Sequence, residues 1–103
     1  MVLARFNFKN ENIKKVTVSG HAEADNYGND LVCAGITAII SGTLNGLDQL
    51  YKKDVELIVL ENEIVIIVKK DSKDLQKILI FLLIQLQTIE IQYPKNFKIE
   101  EVL

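Results

Sequence analysis

The chain carries one cysteine, Cys33, and one histidine, His21. If a thiol and an imidazole cooperate here, these two must be the pair. A thiolate is a strong nucleophile, and an imidazole near its unperturbed pKa can take a thiol proton at neutral pH. Together they are enough for nucleophilic acyl transfer. Cys33 falls three or four residues into an expected helix, depending on the cap. Unpaired amides and the positive end of the helix dipole would there favour the thiolate. The same amides could donate to an oxyanion. A structural role stands beside this one, because free cysteine often serves as a small hydrophobe. Val32 and Ala34 flank the thiol, which suits a core position. His21 could equally be an ordinary polar residue at a strand exit. Asp30 can cap the helix, orient His21 or stay solvated. Gly20 and Gly28 offer backbone freedom at either end of the segment between the two groups.

These residues need a frame. Val2, Ala4, Phe6 and Phe8 alternate with Leu3, Arg5 and Asn7, the pattern of a half-buried strand. Asn10, Glu11 and Asn12 supply a turn, and Ile13 to Ser19 reads as the second strand of a hairpin. His21 to Asp30 is polar and reads as a loop. A helix follows from about Leu31 to Tyr51, with Ile36, Ile40, Leu44, Leu47 and Tyr51 on one stripe. Asn29 or Asp30 is the natural N-cap. Val55 to Leu60 and Glu63 to Val68 form a second hairpin around Glu61-Asn62. Asp71 or Ser72 can cap a second helix running to about Gln92, which Tyr93-Pro94 should end. Phe97 to Leu103 offers a last strand. The order ββαββαβ predicts an α+β domain over residues 1–103, a mainly antiparallel sheet with two helices packed on it.

The second helix is apolar almost all round, from Ile78 to Ile84. One side can face the sheet. The other is either covered by the first helix or forms a homodimer interface, because large exposed apolar patches are rare on monomers.

The bulk composition narrows the class of function. The chain has 103 residues, 49% of them hydrophobic and 25% charged, with a formal net charge of -2. That suits one globular core and argues against disorder. The mild acidity gives no reason to expect nucleic-acid binding through phosphates. Lys14-Lys15, Lys52-Lys53 and Lys69-Lys70 are scattered pairs, as on a solvated surface. Met1 to Phe8 is too short and alternating for a secretory signal, and the longest apolar run is too short to span a membrane. The expected location is the cytoplasm. One cysteine excludes an intrachain disulfide, and a Cys/His zinc site would lack ligands.

The residues around Cys33 also carry a motif. Gly20-His21-Ala22, five residues, Gly28-Asn29-Asp30, two residues, Cys33-Ala34 and then Thr37 spell G-H-A-x5-G-x-D-x2-C-A-x2-T. This resembles the ribosomal-processing cysteine protease family, often called Prp. The strand and helix order fits that family over essentially the whole chain. The resemblance implies a homodimeric α+β peptidase that uses no metal and no cofactor. It implies a substrate too, the large-subunit ribosomal protein numbered twenty-seven, from which the enzyme removes a short N-terminal extension. Cys33 matches the family nucleophile, His21 the family base and Asp30 a supporting acidic residue. Ala22 to Asn29 matches a mobile segment near the substrate. The family usually has Ser where this chain has Thr37, which keeps the hydroxyl and adds a methyl. A ribosomal substrate should be basic, so Glu23, Asp25 and Asp30 could steer it. The rivals are a non-catalytic dimeric ribosome-associated binding module and a one-cysteine redox protein.

Overall fold

The first hairpin grows from its alternation. β1 (Val2–Lys9) and β2 (Asn12–Ser19) pair antiparallel, with Val2, Ala4 and Phe6 buried beside Val16 and Val18. Only Asn10 and Glu11 separate the strands, and both have positive φ, 52° and 70°. Two left-handed residues in a two-residue loop match the twist of a hairpin. Asn tolerates that conformation, whereas Glu11 adopts it at a cost of about 1 kcal/mol. A bulge between Asn7 and Phe8 shifts the register near the turn.

The computed structural model describes residues 1–20 and 27–103, excluding the side chains of 27–30. The first helix, α1, runs Tyr27–Leu50. It therefore begins before Leu31, where the sequence placed its start. Gly28, Asn29 and Asp30 lie inside the helix, so neither Asn29 nor Asp30 is its N-cap. A single glycine in a helix costs only about 1 kcal/mol, less than the gain from extending a long helix that packs well. The expected stripe is present. Val32, Ile36, Ile40 and Leu47 are buried, and Leu44 and Tyr51 pack at the margin of the core. The span Leu31–Leu50 is long and apolar enough to cross a membrane by length and composition. Here its apolar stripe faces the sheet, and its outer face is made of small residues such as Ala34, Ala38 and Gly42.

The second hairpin is β3 (Val55–Val59) and β4 (Glu63–Val68), with Leu60–Asn62 between. The second helix, α2, spans Lys73–Gln92. Its N-cap is Ser72, whose hydroxyl accepts from the Leu75 amide at 3.1 Å. Tyr93 ends it, its amide donating to the Ile89 carbonyl at 2.8 Å, with Pro94 next. β5 (Phe97–Val102) completes the sheet.

The strand order is β3-β4-β2-β1-β5, and all neighbours are antiparallel except β1 and β5, which run parallel. One core lies between the sheet and the two helices, with Phe6, Ile13, Ile40, Leu79, Leu86 and Phe97 fully enclosed. The expected architecture is present, with one parallel pair in the mainly antiparallel sheet. α2 is only half covered. Leu75, Leu79, Leu82, Leu83 and Leu86 face inward, while Ile80, Phe81 and Ile84 are exposed. α1 does not hide them.

Candidate active site

The margin of the sheet where β2 ends and β4 begins lies beside the N-terminal half of α1. A groove of about 300 Å³ opens there, and Cys33 lines it. Its floor is apolar, made of Val2, Val18, Ile36, Ile40 and Ile64. The turn between β3 and β4 forms the far wall with Val59, Leu60, Glu61, Asn62 and Glu63. Sheet register brings this wall to the thiol. Val18 pairs with Ile64 and Ser19 with Glu63, so the end of β2 and the start of β4 share one margin.

Cys33 is partly buried and unbridged. It is neither sealed into the core like Val32 nor fully open like Ala34. A structural cysteine filling the core would be enclosed; this one faces a cavity. Its place in the helix differs from the sequence reading. With α1 beginning at Tyr27, the unpaired amides of its first turn lie N-terminal to residue 30. The Cys33 amide lies beyond that first turn, so it is no longer among the free donors expected beside the thiol. The dipole effect is correspondingly weaker, because it falls off within a turn.

Thr37 sits one turn later on the same face, exposed, and lines the same groove. Gly20 lines it from the strand side. Its φ is +98°, and a Cβ there would run into the Met1 carbonyl oxygen. Its amide donates to the Asn62 carbonyl at 3.3 Å. Glycine is thus required on two counts, and the residue ties the end of β2 to the far wall. The structure brings Cys33, Thr37 and Gly20 together. Gly28 lies in the first turn of α1 rather than in a loop, and Asp30 follows it in the helix. His21, Ala22, Glu23 and Asp25 lie outside the described residues.

The far wall was not evident from sequence. Nothing local shows that residues 59–64 would face residue 33; that proximity follows from a long-range strand pairing. The one available signal was Val59-Leu60, two large apolar residues just ahead of a turn, both exposed in the fold. The rim beside them is acidic, through Glu61 and Glu63. The two ion pairs among the described residues, Arg5 with Glu100 at 3.5 Å and Lys14 with Asp71 at 4.0 Å, lie elsewhere. No three His, Cys, Asp or Glu residues converge as metal ligands among the described residues.

A half-buried thiol on a helix, open to an apolar groove across from a strand turn, suits a thiol peptidase that holds an extended chain. Known proteins agree with that class. The sequence profile described as "Cysteine protease Prp" matches residues 1–98, and the chain belongs to that family of cysteine proteases. It is 31% identical over 90 residues to the ribosomal processing cysteine protease Prp of Staphylococcus aureus, covering 84% of this chain and 85% of that one. A crystal structure of the S. aureus Prp with a substrate peptide superposes with a TM-score of 0.87 at 27% identity, over 98% of this chain and 99% of that one. Another, with a covalently linked product peptide, gives a TM-score of 0.85 at 28% identity, over 98% and 99%. A protein from Streptococcus mutans shares the fold at a TM-score of 0.79 and 18% identity, over 99% and 94%.

Proposed function

We propose that this protein is a cytoplasmic endopeptidase that removes the N-terminal extension of the large-subunit ribosomal protein numbered twenty-seven. Cys33 is its nucleophile and His21 its general base. The observation that carries the reading is the position of Cys33, the one thiol in the chain, partly exposed in the groove with Thr37 and Gly20. Gly20, Cys33 and Thr37 are motif positions brought to one place by the end of β2 and by α1. The S. aureus relative, structurally similar throughout, has been crystallised with a substrate peptide and with a covalently linked product peptide.

The chemistry is acyl transfer. The Cys33 thiolate adds to the scissile carbonyl, and the imidazolium of His21 gives its proton to the departing amine as the C–N bond breaks. The acyl group is left on sulfur as a thioester. Neutral His21 then takes a proton from water, the hydroxide displaces sulfur, and the thiolate and imidazolium are restored. Asp30 supports this pair, and Thr37 borders the substrate. The apolar floor accepts apolar side chains, while Glu61 and Glu63 on the rim favour a basic substrate. No metal or cofactor enters the cycle.

We also assign the exposed apolar face of α2 to a homodimer. Ile80, Phe81 and Ile84 are exposed together, and Phe81 borders a second groove lined by Ala38, Gly42 and Gly46 of α1. Small residues let another helix approach closely.

The test is to incubate the protein with the N-terminally extended ribosomal protein and follow mass, beside Cys33→Ala. One defined cut by wild type and none by the variant is the expected result. If neither protein cuts and both bind equally well, the chain is a binding module instead.

A further inference from the structure

A five-stranded sheet that does not close has two edges, and in this protein they are treated differently. The outer edge of β5 is occupied. The Phe97 amide donates to the Tyr93 carbonyl at 3.2 Å, and the Ile99 amide to the Glu90 carboxylate at 2.7 Å. α2 and the residue that ends it thus supply partners for outward donors of that edge strand.

β3 forms the other edge. Leu60 donates to the Glu63 carbonyl at 2.8 Å, which fixes the alternation of its ladder with β4. Ile58 faces Val65 in a bonded pair, whereas Leu57 opposite Ile66 and Val59 opposite Ile64 direct their N–H and C=O groups away from β4. The Val55 amide is taken by the Tyr51 carbonyl at 3.2 Å. No hydrogen bond from any described residue reaches the outward groups of Leu57 and Val59. The strand reads VELIV, with no proline, no bulge and one charge. Proteins usually block an exposed edge with such devices, because a bare one pairs with other chains. This open edge leads to the site, since Val59 and Leu60 line the groove that holds Cys33.

We propose that the substrate docks as an added strand on β3, its backbone pairing with Leu57 and Val59, and is led along that edge to Cys33. The inference rests on the peptidase reading of the groove and deepens it. Pairing through the backbone demands an extended chain and sets little of its sequence, while every second side chain turns toward the groove. The substrate class is therefore an unfolded segment, such as a chain-terminal extension, rather than a folded loop.

A scan of single backbone N-methyl groups through a peptide substrate tests this, the scissile amide being left unmodified. On one side of the cut, KM should rise about tenfold at every second residue and stay near the parent value between, with kcat held; each methyl removes one donor and crowds the pairing. The same peptides are titrated against Cys33→Ala, so that docking is read apart from cleavage. Val59→Pro removes one outward donor at a position where an edge strand tolerates proline. It should weaken binding several-fold and leave the two-residue N-methyl alternation in place, because the proline removes a donor of β3 while each methyl removes a donor of the substrate. Sensitivity without a two-residue alternation, in peptides that wild type still cleaves, overturns the docking mode and leaves the peptidase reading standing. Absence of cleavage, with alternation kept in the Cys33→Ala titrations, overturns the peptidase reading and upholds the docking. Conversion of a dimer to monomer by Val59→Pro would give the edge to a second copy and overturn the proposal.

Discussion

Gly20 has little freedom to change. Its φ of +98° suits glycine, and a Cβ would meet the carbonyl of Met1, a backbone atom that cannot swing aside. Gly20→Ala should therefore destabilise the protein by about 1–3 kcal/mol, measured by urea unfolding. It should also reduce cleavage in the fraction that stays folded, because Gly20 immediately precedes His21. An unchanged unfolding midpoint would show that the strand end is less constrained than its geometry requires. At this scale the sequence named three residues that line the groove. Gly20, Cys33 and Thr37 were all named by the motif, while His21 lies outside the described residues. Leu60, Glu61 and Asn62 could not be found that way. They sit across the groove because β4 pairs with β2, a register that the bond from Gly20 to Asn62 extends.

The elements show where local patterns suffice and where they do not. Alternation in β1 and the four-residue stripe in α1 were visible because each has one wet and one dry face. The start of α1 was misplaced because Gly28, Asn29 and Asp30 favour turns and caps in isolation, a weak preference that the helix overrides. Gln76 is a further feature no periodicity reveals. β4 stops pairing with β2 at Lys15 opposite Ile67, which leaves Ile13 without a β4 partner. Gln76, buried on α2, replaces it. Its side chain accepts from the Ile13 amide at 2.8 Å and donates to the Ile13 carbonyl at 2.8 Å and to Asp71 at 2.9 Å. Gln76→Ala would strand both backbone groups of a fully buried residue. We expect a loss of about 2–4 kcal/mol in equilibrium unfolding, from two unsatisfied buried groups. A loss under 1 kcal/mol would mean that water replaces the side chain.

For the whole molecule, the order of elements was readable but their arrangement was not. ββαββαβ follows from local periodicity, yet nothing local says that β5 pairs parallel with β1 or that β3 is left at an edge. The outer face of α2 was open to two readings, and the fold leaves Phe81 63% exposed. If that face joins two copies, Phe81→Glu should convert a dimer to a monomer in sedimentation at micromolar concentration, with little change in thermal stability. A wild-type protein that sediments as a monomer would remove the assignment.

The parallel pairing of β5 with β1 joins Val2 to Phe97, residues from opposite ends of the fold. Phe97 is fully enclosed, and Val2, Ala4 and Phe6 turn their backbone groups toward this last strand. During synthesis the first hairpin and both helices can form early, but the inner edge of β1 stays unpaired until the final strand emerges. Contacts so distant in sequence are closed late and slowly. The groove floor includes Val2, so a growing chain cannot present a finished site. A protein built this way completes the floor of its groove only after Phe97 has been synthesised.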